Sequence, residues 1–475
     1  MNNIKPEYNH HNRNERSLQP MATERVPLFT AKNSINGKKK IWYQLLLSGV
    51  MTVLLVGSSA IPVSTAYGAG ATANMNGAKT GTVASTSSTP SSTIANGGNQ
   101  AYEHIVFLGD SLTVGYEPDR KSSNYDGFTV RLKEQELFRG RAMVDNEGIL
   151  GLTSSGLHQY MNAITAGKKV STSDIQSNLP GAARTLDGAS VAKQIRSANL
   201  ITITIGGNDF LNALGSLTAL PQDLSGLKLE PVISSYENNL KAIVDQLIAL
   251  NPSATIVIAD QYQPVPAVSG AELYRNLNSL AAQFSNIVDR TASSYKAQGK
   301  DVRVAHIAEA FKDNELSMTH IAEGDIHPNP SGYQSIAVAF SRAIWGENGY
   351  RTPPTSVNST DLTIVYTNGR LLNSSVPPIV RNGRTYVALR DVTAAFGARV
   401  AWSDQTKQAT VTGGSSNVVI PLGGHAIKVN GQNVPTDAPA FVQRGKTYVP
   451  LAVLADGLGY DVQYVKRWKA VFVRQ

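Results

Sequence analysis

Four clusters of small and polar residues each follow a short apolar run, and together they hold the side-chain types that nucleophilic chemistry needs. They are Gly109-Asp110-Ser111-Leu112, the stretch from Asn146 through Gly148 to Gly151, Gly206-Gly207-Asn208-Asp209, and Asp325-Ile326-His327-Pro328-Asn329-Pro330. A serine hydroxyl is a poor nucleophile at neutral pH until an imidazole takes its proton, and several N–H donors aimed at one point stabilise the charge that forms on an attacked carbonyl. Each cluster alone has a plainer reading. Gly-Asp-Ser after a strand is often a turn that caps the next helix, Gly206 to Asp209 can be turn chemistry, and a histidine before a proline can sit on a surface loop. What singles the clusters out is that all four occur in order, the first three just past an apolar run and the fourth in the loop that follows the run 302–307.

Those runs are the elements that must position them. Residues 104–109, 142–146, 200–206, 254–260 and 302–307 read as strands, and 233–249, 271–296 and 331–345 place apolar residues at the three-and-four spacing of amphipathic helices. Continuous Val/Ile runs separated by helices predict a parallel sheet covered on both faces, an α/β sandwich. Ligands of such sheets bind outside the carboxyl ends of the strands. The run "HIVFLG" therefore predicts a central strand, with Ser111 where the chain leaves it for a helix, its hydroxyl in the crevice and its N–H at a helix start.

The ordered set resembles the SGNH hydrolases, also called the GDSL lipase/esterase family, over residues 101–347. The resemblance implies a three-layer α/β/α sandwich with a parallel flavodoxin-like sheet and no cofactor or metal. It implies Ser111 as nucleophile and His327 as general base. The oxyanion hole it implies is made by the backbone N–H of Ser111, the backbone N–H of Gly151 and the side-chain amide of Asn208. One feature departs from the family pattern, which places its acid three residues before the histidine: that position is Gly324, with Asp325 two residues before and Glu323 four. Asp325 is assigned as the partner that orients His327, with a backbone carbonyl as the alternative. His104, His158, His306 and His320 show no ligand spacing and read as core or surface residues.

After a break at 347–361, the chain repeats itself at an offset of 62. Asn368-Gly369 matches Asn430-Gly431, "GRTYVAL" (383–389) matches "GKTYVPL" (445–451), and Gly397 matches Gly459. Each copy predicts an Asn-Gly hairpin, a strand, a short helix and a closing hairpin, giving a small α+β domain over 361–475. This repeat resembles the copper-amine-oxidase N-terminal-like, or stalk, domain. With one histidine, His425, and no cysteine, it holds too few ligands for a metal site, so attachment rather than catalysis is expected of it. The stretch 348–360 reads as a hinge between units with separate cores.

The N-terminal part reads as export machinery. Lys38-Lys39-Lys40 precedes an uncharged apolar stretch that ends in small residues, with Ser64-Thr65-Ala66 and Ala69-Gly70-Ala71 as candidate cleavage sites. Residues 1–71 are thus expected to be a leader and signal peptide, Met21 being a candidate start, and 72–100 a flexible Gly/Ser/Thr-rich linker. An uncleaved N-terminal membrane anchor is the alternative. Of the net charge of +8, five units lie in the first 40 residues, which leaves +3 for the remainder and no expectation of nucleic-acid binding. The absence of cysteine excludes disulfides, thiolate metal sites and a cysteine nucleophile, and in a secreted chain it fits a Gram-positive exterior.

The resemblance therefore implies a secreted or cell-surface serine esterase or lipase that cleaves carboxylic esters of lipid or acylated carbohydrate through an acyl-enzyme on Ser111, with the C-terminal domain associating with a wall or surface. Two alternatives stand beside it. One is an O-acetyl esterase acting on carbohydrate or cell wall with the same machinery, and the other, of a different class, is a surface-binding module with an inactive hydrolase domain.

Overall fold

The computed structural model describes residues 99–215, 220, 222–354 and 363–475. The expected signal peptide, nearly all of the 72–100 linker and the last part of the 348–360 stretch, from 355 on, lie outside the described residues. Among the described residues no helix is long and apolar enough to cross a membrane.

Five parallel strands form the first sheet: β1 (His104–Gly109), β2 (Met143–Gly148), β3 (Leu200–Thr204), β4 (Thr255–Ala259) and β5 (Val302–Ala305), in the order β2-β1-β3-β4-β5. The expected strands are all present. Their ends differ by up to two residues, because the chain leaves strand geometry where it turns into the crevice loops; β2 instead runs on to Gly148. β1 is buried along its whole length, as a central strand covered on both faces must be.

Alternate residues of these strands feed two cores. Val106, Leu108, Ile201, Ile203 and Ile256 pack on one side against helices α3 (Ser154–Thr165), α4 (Gly188–Ser197), α6 (Glu230–Leu250) and α7 (Ala271–Ala297). Ile105, Phe107, Leu200 and Val257 pack on the other against α2 (Phe128–Glu136) and α8 (Pro330–Trp345). Two further short helices, α1 (Ser111–Val114) and α5 (Gly207–Leu214), follow β1 and β3 directly. The result is a three-layer α/β/α sandwich in which the sheet order reverses between β1 and β3, and the crevice opens at that reversal.

The C-terminal domain is built from two interlocked copies. The first contains β6 (Ile364–Thr367), β7 (Arg370–Leu371), β8 (Ile379–Arg381), β9 (Arg384–Ala388), helix α9 (Leu389–Ala395), β10 (Arg399–Ser403) and β11 (Gln408–Gly413). After β12 (Ser416–Pro421), the second copy repeats the series as β13 (Ala426–Val429), β14 (Gln432–Pro435), β15 (Phe441–Gln443), β16 (Lys446–Pro450), α10 (Leu451–Gly457), β17 (Asp461–Val465) and β18 (Ala470–Arg474). Where a lone strand is expected before each helix, the structure has a second hairpin. Its turns, Asn382-Gly383 and Arg444-Gly445, have positive φ at both residues, like Asn368-Gly369 and Asn430-Gly431.

The copies meet at β9 and β16, where Val387 faces its own counterpart Val449, both buried, so a pseudo-two-fold passes between them. Each closing hairpin then joins the other copy's opening hairpin: β10 and β11 reach β13 and β14 through β12, and β17 and β18 pair with β6 and β7. Neither copy completes its sheets alone.

The two domains do not have wholly separate cores. Leu137 and Phe138, just after α2, share an apolar cluster with Tyr366, Val465, Ala470 and Phe472 of the repeat. Phe138 meets the rings of Tyr366, Trp468 and Phe472 at centroid distances of 5.2, 5.5 and 5.0 Å. The expected hinge is thus flanked by a packed contact, made by aromatic side chains whose partners lie hundreds of positions away.

Candidate active site

The end of β1 explains why a buried strand runs into a serine. Gly109 has φ +141°, and a Cβ there would stand 2.1 Å from the carbonyl oxygen of Thr204 on β3, so only glycine lets the chain turn between the two strands. Asp110 caps α1: its carboxylate accepts from Leu112 N at 3.0 Å and from Thr204 Oγ1 at 2.9 Å. The capping role that such a motif has in any turn is therefore real for Asp110. Burial pushes this carboxyl up to about 7, against the two hydrogen bonds that favour its ionised form. Ser111 follows as the first residue of α1, with its backbone N–H among those that a helix start leaves unbonded within the helix.

His327 reaches Ser111 from the far side of the domain's sequence. Its Nε2 lies 2.9 Å from Ser111 Oγ, and its Nδ1 lies 2.7 Å from Asp325 Oδ1, which also accepts from the His327 backbone N–H at 2.8 Å. With a spacing of two, the carboxylate folds over onto His327 and holds both its ring and its main chain. Burial raises the Asp325 carboxyl, but the hydrogen bond and charge of His327 outweigh it and hold the group below the usual carboxylate range. The carboxylate is thus ionised through neutral pH.

The loop that carries the pair is tied at several points. Asp325 N donates to His320 O at 3.1 Å, His320 N to His327 O at 3.0 Å, and Tyr262 Oη to Ile326 O at 2.9 Å. Asn329 then caps α8 by accepting from Ser331 N and Gly332 N, with Pro330 at the first helical position. Tyr116 packs edge-on to the His327 ring at a centroid distance of 4.6 Å. Glu323, the other carboxylate considered, bonds His320 Nδ1 at 3.1 Å instead.

Gly151 and Asn208 are fixed to one another. Asn208 Nδ2 donates to Leu152 O at 2.9 Å, which leaves its second amide hydrogen free of that bond, and Asp209 accepts from Ser154 N at 2.8 Å and from Ser154 Oγ at 2.6 Å. Gly206 has φ +122°, and a Cβ there would strike the Tyr236 ring at 2.6 Å. Gly151 has φ +75° and packs on Pro180, and its carbonyl accepts from Gln176 Nε2 at 2.9 Å. Among the described residues, neither Ser111 N nor Gly151 N has a protein acceptor. Free backbone donors and a half-used amide beside a serine hydroxyl can hold an oxyanion.

Beside Ser111 lies a cavity of about 60 Å³, lined mainly by apolar side chains that include Leu112, Phe210, Leu211, Pro264 and Phe284. Gln261, Tyr262, Gln263 and Pro264, just after β4, contribute to it, whereas residues 158–199 do not line it and instead brace Gly151 through Gln176 and Pro180. Sequence reasoning missed Thr204, Tyr116, Gln176 and Tyr262. A strand-end threonine is visible in the sequence, but the other three sit in irregular segments with no pattern to mark them.

The remaining histidines do not cluster. His104 is buried between Ser197 Oγ and Asp145 Oδ2, and His306 lies beside Asp260. His320, read as a core or surface residue, belongs to the loop that carries Asp325. Among the described residues no group of three or more His, Cys, Asp or Glu is placed to hold a metal ion.

A parallel sheet with a serine, an imidazole and a carboxylate joined in series at its carboxyl end has the parts that serine-dependent acyl transfer requires. Residues 107–335 match the model of the GDSL-like Lipase/Acylhydrolase family, and residues 366–473 match that of the Copper amine oxidase N-terminal domain. The first of these segments belongs to the GDSL-like lipase/acylhydrolase family, and the protein is a carboxylic ester hydrolase. It is 26% identical over 254 residues to the uncharacterized protein YpmR of Bacillus subtilis (strain 168), covering 51% of this chain and 82% of that one. Solved structures similar to it include the lipase Lip_vut3 from a goat rumen metagenome, at 19% identity and a TM-score of 0.36, covering 51% of this chain and 98% of that one. Another is a catalytic mutant of an acetylxylan esterase from Geobacillus stearothermophilus, at 18% identity and a TM-score of 0.35, covering 53% and 98%.

Proposed function

We propose that the protein is a secreted serine esterase that removes short acyl groups, acetyl foremost, from carbohydrate or cell-wall material through an acyl-enzyme on Ser111. The observation that carries this reading is the unbroken series Asp325, His327, Ser111 at the edge of a small apolar cavity lined by Phe210 and Phe284 among others. A cavity of about 60 Å³ suits a short acyl group better than a long lipid chain.

The chemistry runs in two halves. His327 Nε2 takes the Ser111 proton as Oγ attacks the ester carbonyl carbon, and the resulting oxyanion is held by the N–H groups of Ser111 and Gly151 and the amide of Asn208. His327 then gives that proton to the departing alcohol, which leaves the acyl group on Ser111. In the second half water takes the place of the alcohol, His327 accepts its proton, and the acid departs as Oγ regains a hydrogen. Asp325 keeps Nδ1 protonated and Nε2 facing the serine.

Export rests on the basic and apolar N-terminal segment, and retention at a surface on the C-terminal domain. An open groove there is lined by Trp402, Arg390, Lys446 and Asp391, an aromatic face beside charged groups of both signs, which suits the rings and polar groups of a wall polysaccharide.

The test is to assay the full chain against aryl esters of increasing acyl length and to measure acetate release from acetylated polysaccharide. The reading expects kcat/KM to be highest for acetyl and to fall at least about tenfold by hexanoyl. A preference that rises with chain length overturns it, and no turnover of any ester supports the binding-module alternative.

A further inference from the structure

The C-terminal domain grips the hydrolase at one arginine. Arg467 lies in the turn Lys466–Trp468 between β17 and β18, and its guanidinium binds two carboxylates of the other domain. Nη2 and Nη1 meet Asp126 Oδ1 and Oδ2 at 2.6 and 3.0 Å, while Nε and Nη2 meet Glu134 Oε2 and Oε1 at 2.6 and 3.1 Å. The pairs are partly shielded from water, and the two-pronged geometry is one that lysine does not reproduce. Around the clamp, Phe138 packs among Tyr366, Trp468 and Phe472, and Arg474 Nε donates to Leu137 O at 3.3 Å.

Asp126 and Glu134 are not incidental anchors. Asp126 closes the loop that leaves α1, the helix begun by Ser111, and enters α2, which Glu134 belongs to. The loop's two ends touch: a Cβ on Gly127 would stand 2.4 Å from Gly115 Cα. Within the loop, the Tyr125 ring packs edge-on to Tyr116 at 5.7 Å, and Tyr116 packs edge-on to His327 at 4.6 Å. Tyr333 Oη donates to Tyr116 O at 2.6 Å from α8, the helix that follows the His327 loop. α2 braces α8 as well, with Phe128 stacked on Phe340 at 4.6 Å and Arg131 bonded to Gln334 at 3.0 Å. The clamp therefore sits on a segment that borders Ser111 at its start and His327 through Tyr116.

We propose that Arg467 is a positioning residue for the reaction: by holding Asp126 and Glu134, the C-terminal domain fixes the 115–127 loop so that Tyr116 keeps the His327 imidazole in line between Asp325 and Ser111. The domain is then part of the catalytic support as well as a surface attachment. This inference rests on the reading of Ser111 and His327 given above. The cavity beside Ser111 is lined by neither the loop nor the clamp, so substrate binding is left alone and the proton-transfer geometry takes the effect.

The experiment compares full-length Arg467→Ala, Arg467→Lys, Asp126→Asn and the Asp126→Asn/Arg467→Ala double variant with the native chain on an aryl acetate. Each is followed by kcat, KM, the pH profile of kcat/KM and the rate of fluorophosphonate labelling, with Ser111→Ala alongside. Arg467→Ala is expected to lower kcat and the labelling rate together by about 10-fold or more, the scale of a sub-ångström to ångström misplacement, with KM within about twofold. The imidazole limb of the pH profile shifts in the same variant, Arg467→Lys recovers part of the loss, and the double variant is no slower than the worse single one. Folded Arg467→Ala with native kcat, labelling rate and pH profile overturns the proposal, even with Ser111→Ala inactive. Turnover by Ser111→Ala at the native rate instead overturns the reading beneath it. Should Arg467→Ala fail to fold, Arg467→Lys and Asp126→Asn carry the same comparison, and native kinetics in both overturn the proposal.

Discussion

Ser111 and His327 stand 216 positions apart in the chain, yet the histidine's Nε2 lies 2.9 Å from the serine's Oγ. Two local devices bring about that contact. A glycine turns β1 into α1 at one end, and a carboxylate two residues before the histidine locks its ring and its backbone at the other. Each device makes a separate claim about what the surrounding residues do.

The unusual spacing of the acid can be tested directly. Asp325→Asn should lower kcat by about 10²- to 10⁴-fold, because the amide no longer fixes the proton on Nδ1. Glu323→Gln, which touches only His320, should change kcat less than threefold or so, within the range of ordinary surface substitutions. Equal and small effects from both would assign the orienting role to a backbone carbonyl.

Gly109 should tolerate no side chain. An alanine Cβ would meet Thr204 O at 2.1 Å in a backbone conformation that L-residues rarely adopt, so Gly109→Ala should cost about 3 kcal/mol or more. Urea unfolding measures the cost. A loss below about 1 kcal/mol would mean that the β1 and β3 backbones are not in contact there.

Asp110 carries a pH signature. Its carboxyl is raised in the folded protein to about 7 from an ordinary value of 3.8, so the folded state binds a proton that the unfolded chain releases first. Native stability should therefore fall as pH rises from about 4 to 7 and level off above, with this group as one contributor. Asp110→Asn keeps an oxygen acceptor for Leu112 N and Thr204 Oγ1 but has no proton to lose. Its melting temperature relative to the native protein should rise steadily across that window. A difference that is flat with pH contradicts the raised carboxyl.

Acyl length should be set by Phe210. Replacing it with alanine removes one wall of the cavity, so the ratio of kcat/KM for acetyl over hexanoyl esters should fall by about tenfold or more. A ratio unchanged in a folded variant would place the acyl group elsewhere.

Much of this was legible in the sequence, and for stated reasons. Five apolar runs became the five parallel strands because continuous Val/Ile burial on both faces has few other solutions. Gly109, Gly151 and Gly206 marked the turns at which the chain crosses the crevice, where positive φ leaves little choice of residue. The repeat offset revealed the duplicated C-terminal domain, although not the second hairpin of each copy or the exchange of strands between copies. Least legible were the contacts that depend on distant partners. Tyr116 against His327, Gln176 behind Gly151 and the Arg467 clamp follow no period. Arg467 and Asp126 are 341 positions apart, and an arginine on a turn looks like any solvated charge until the docked surface is known.

The central claim is that Ser111 is the nucleophile, and the most direct measurement is the turnover of an aryl acetate by folded, full-length Ser111→Ala. Its kcat is expected to be reduced by about 10⁴-fold or more, because the nucleophile and its base act as a unit. Turnover within about tenfold of the native enzyme, in a preparation free of native protein, contradicts it.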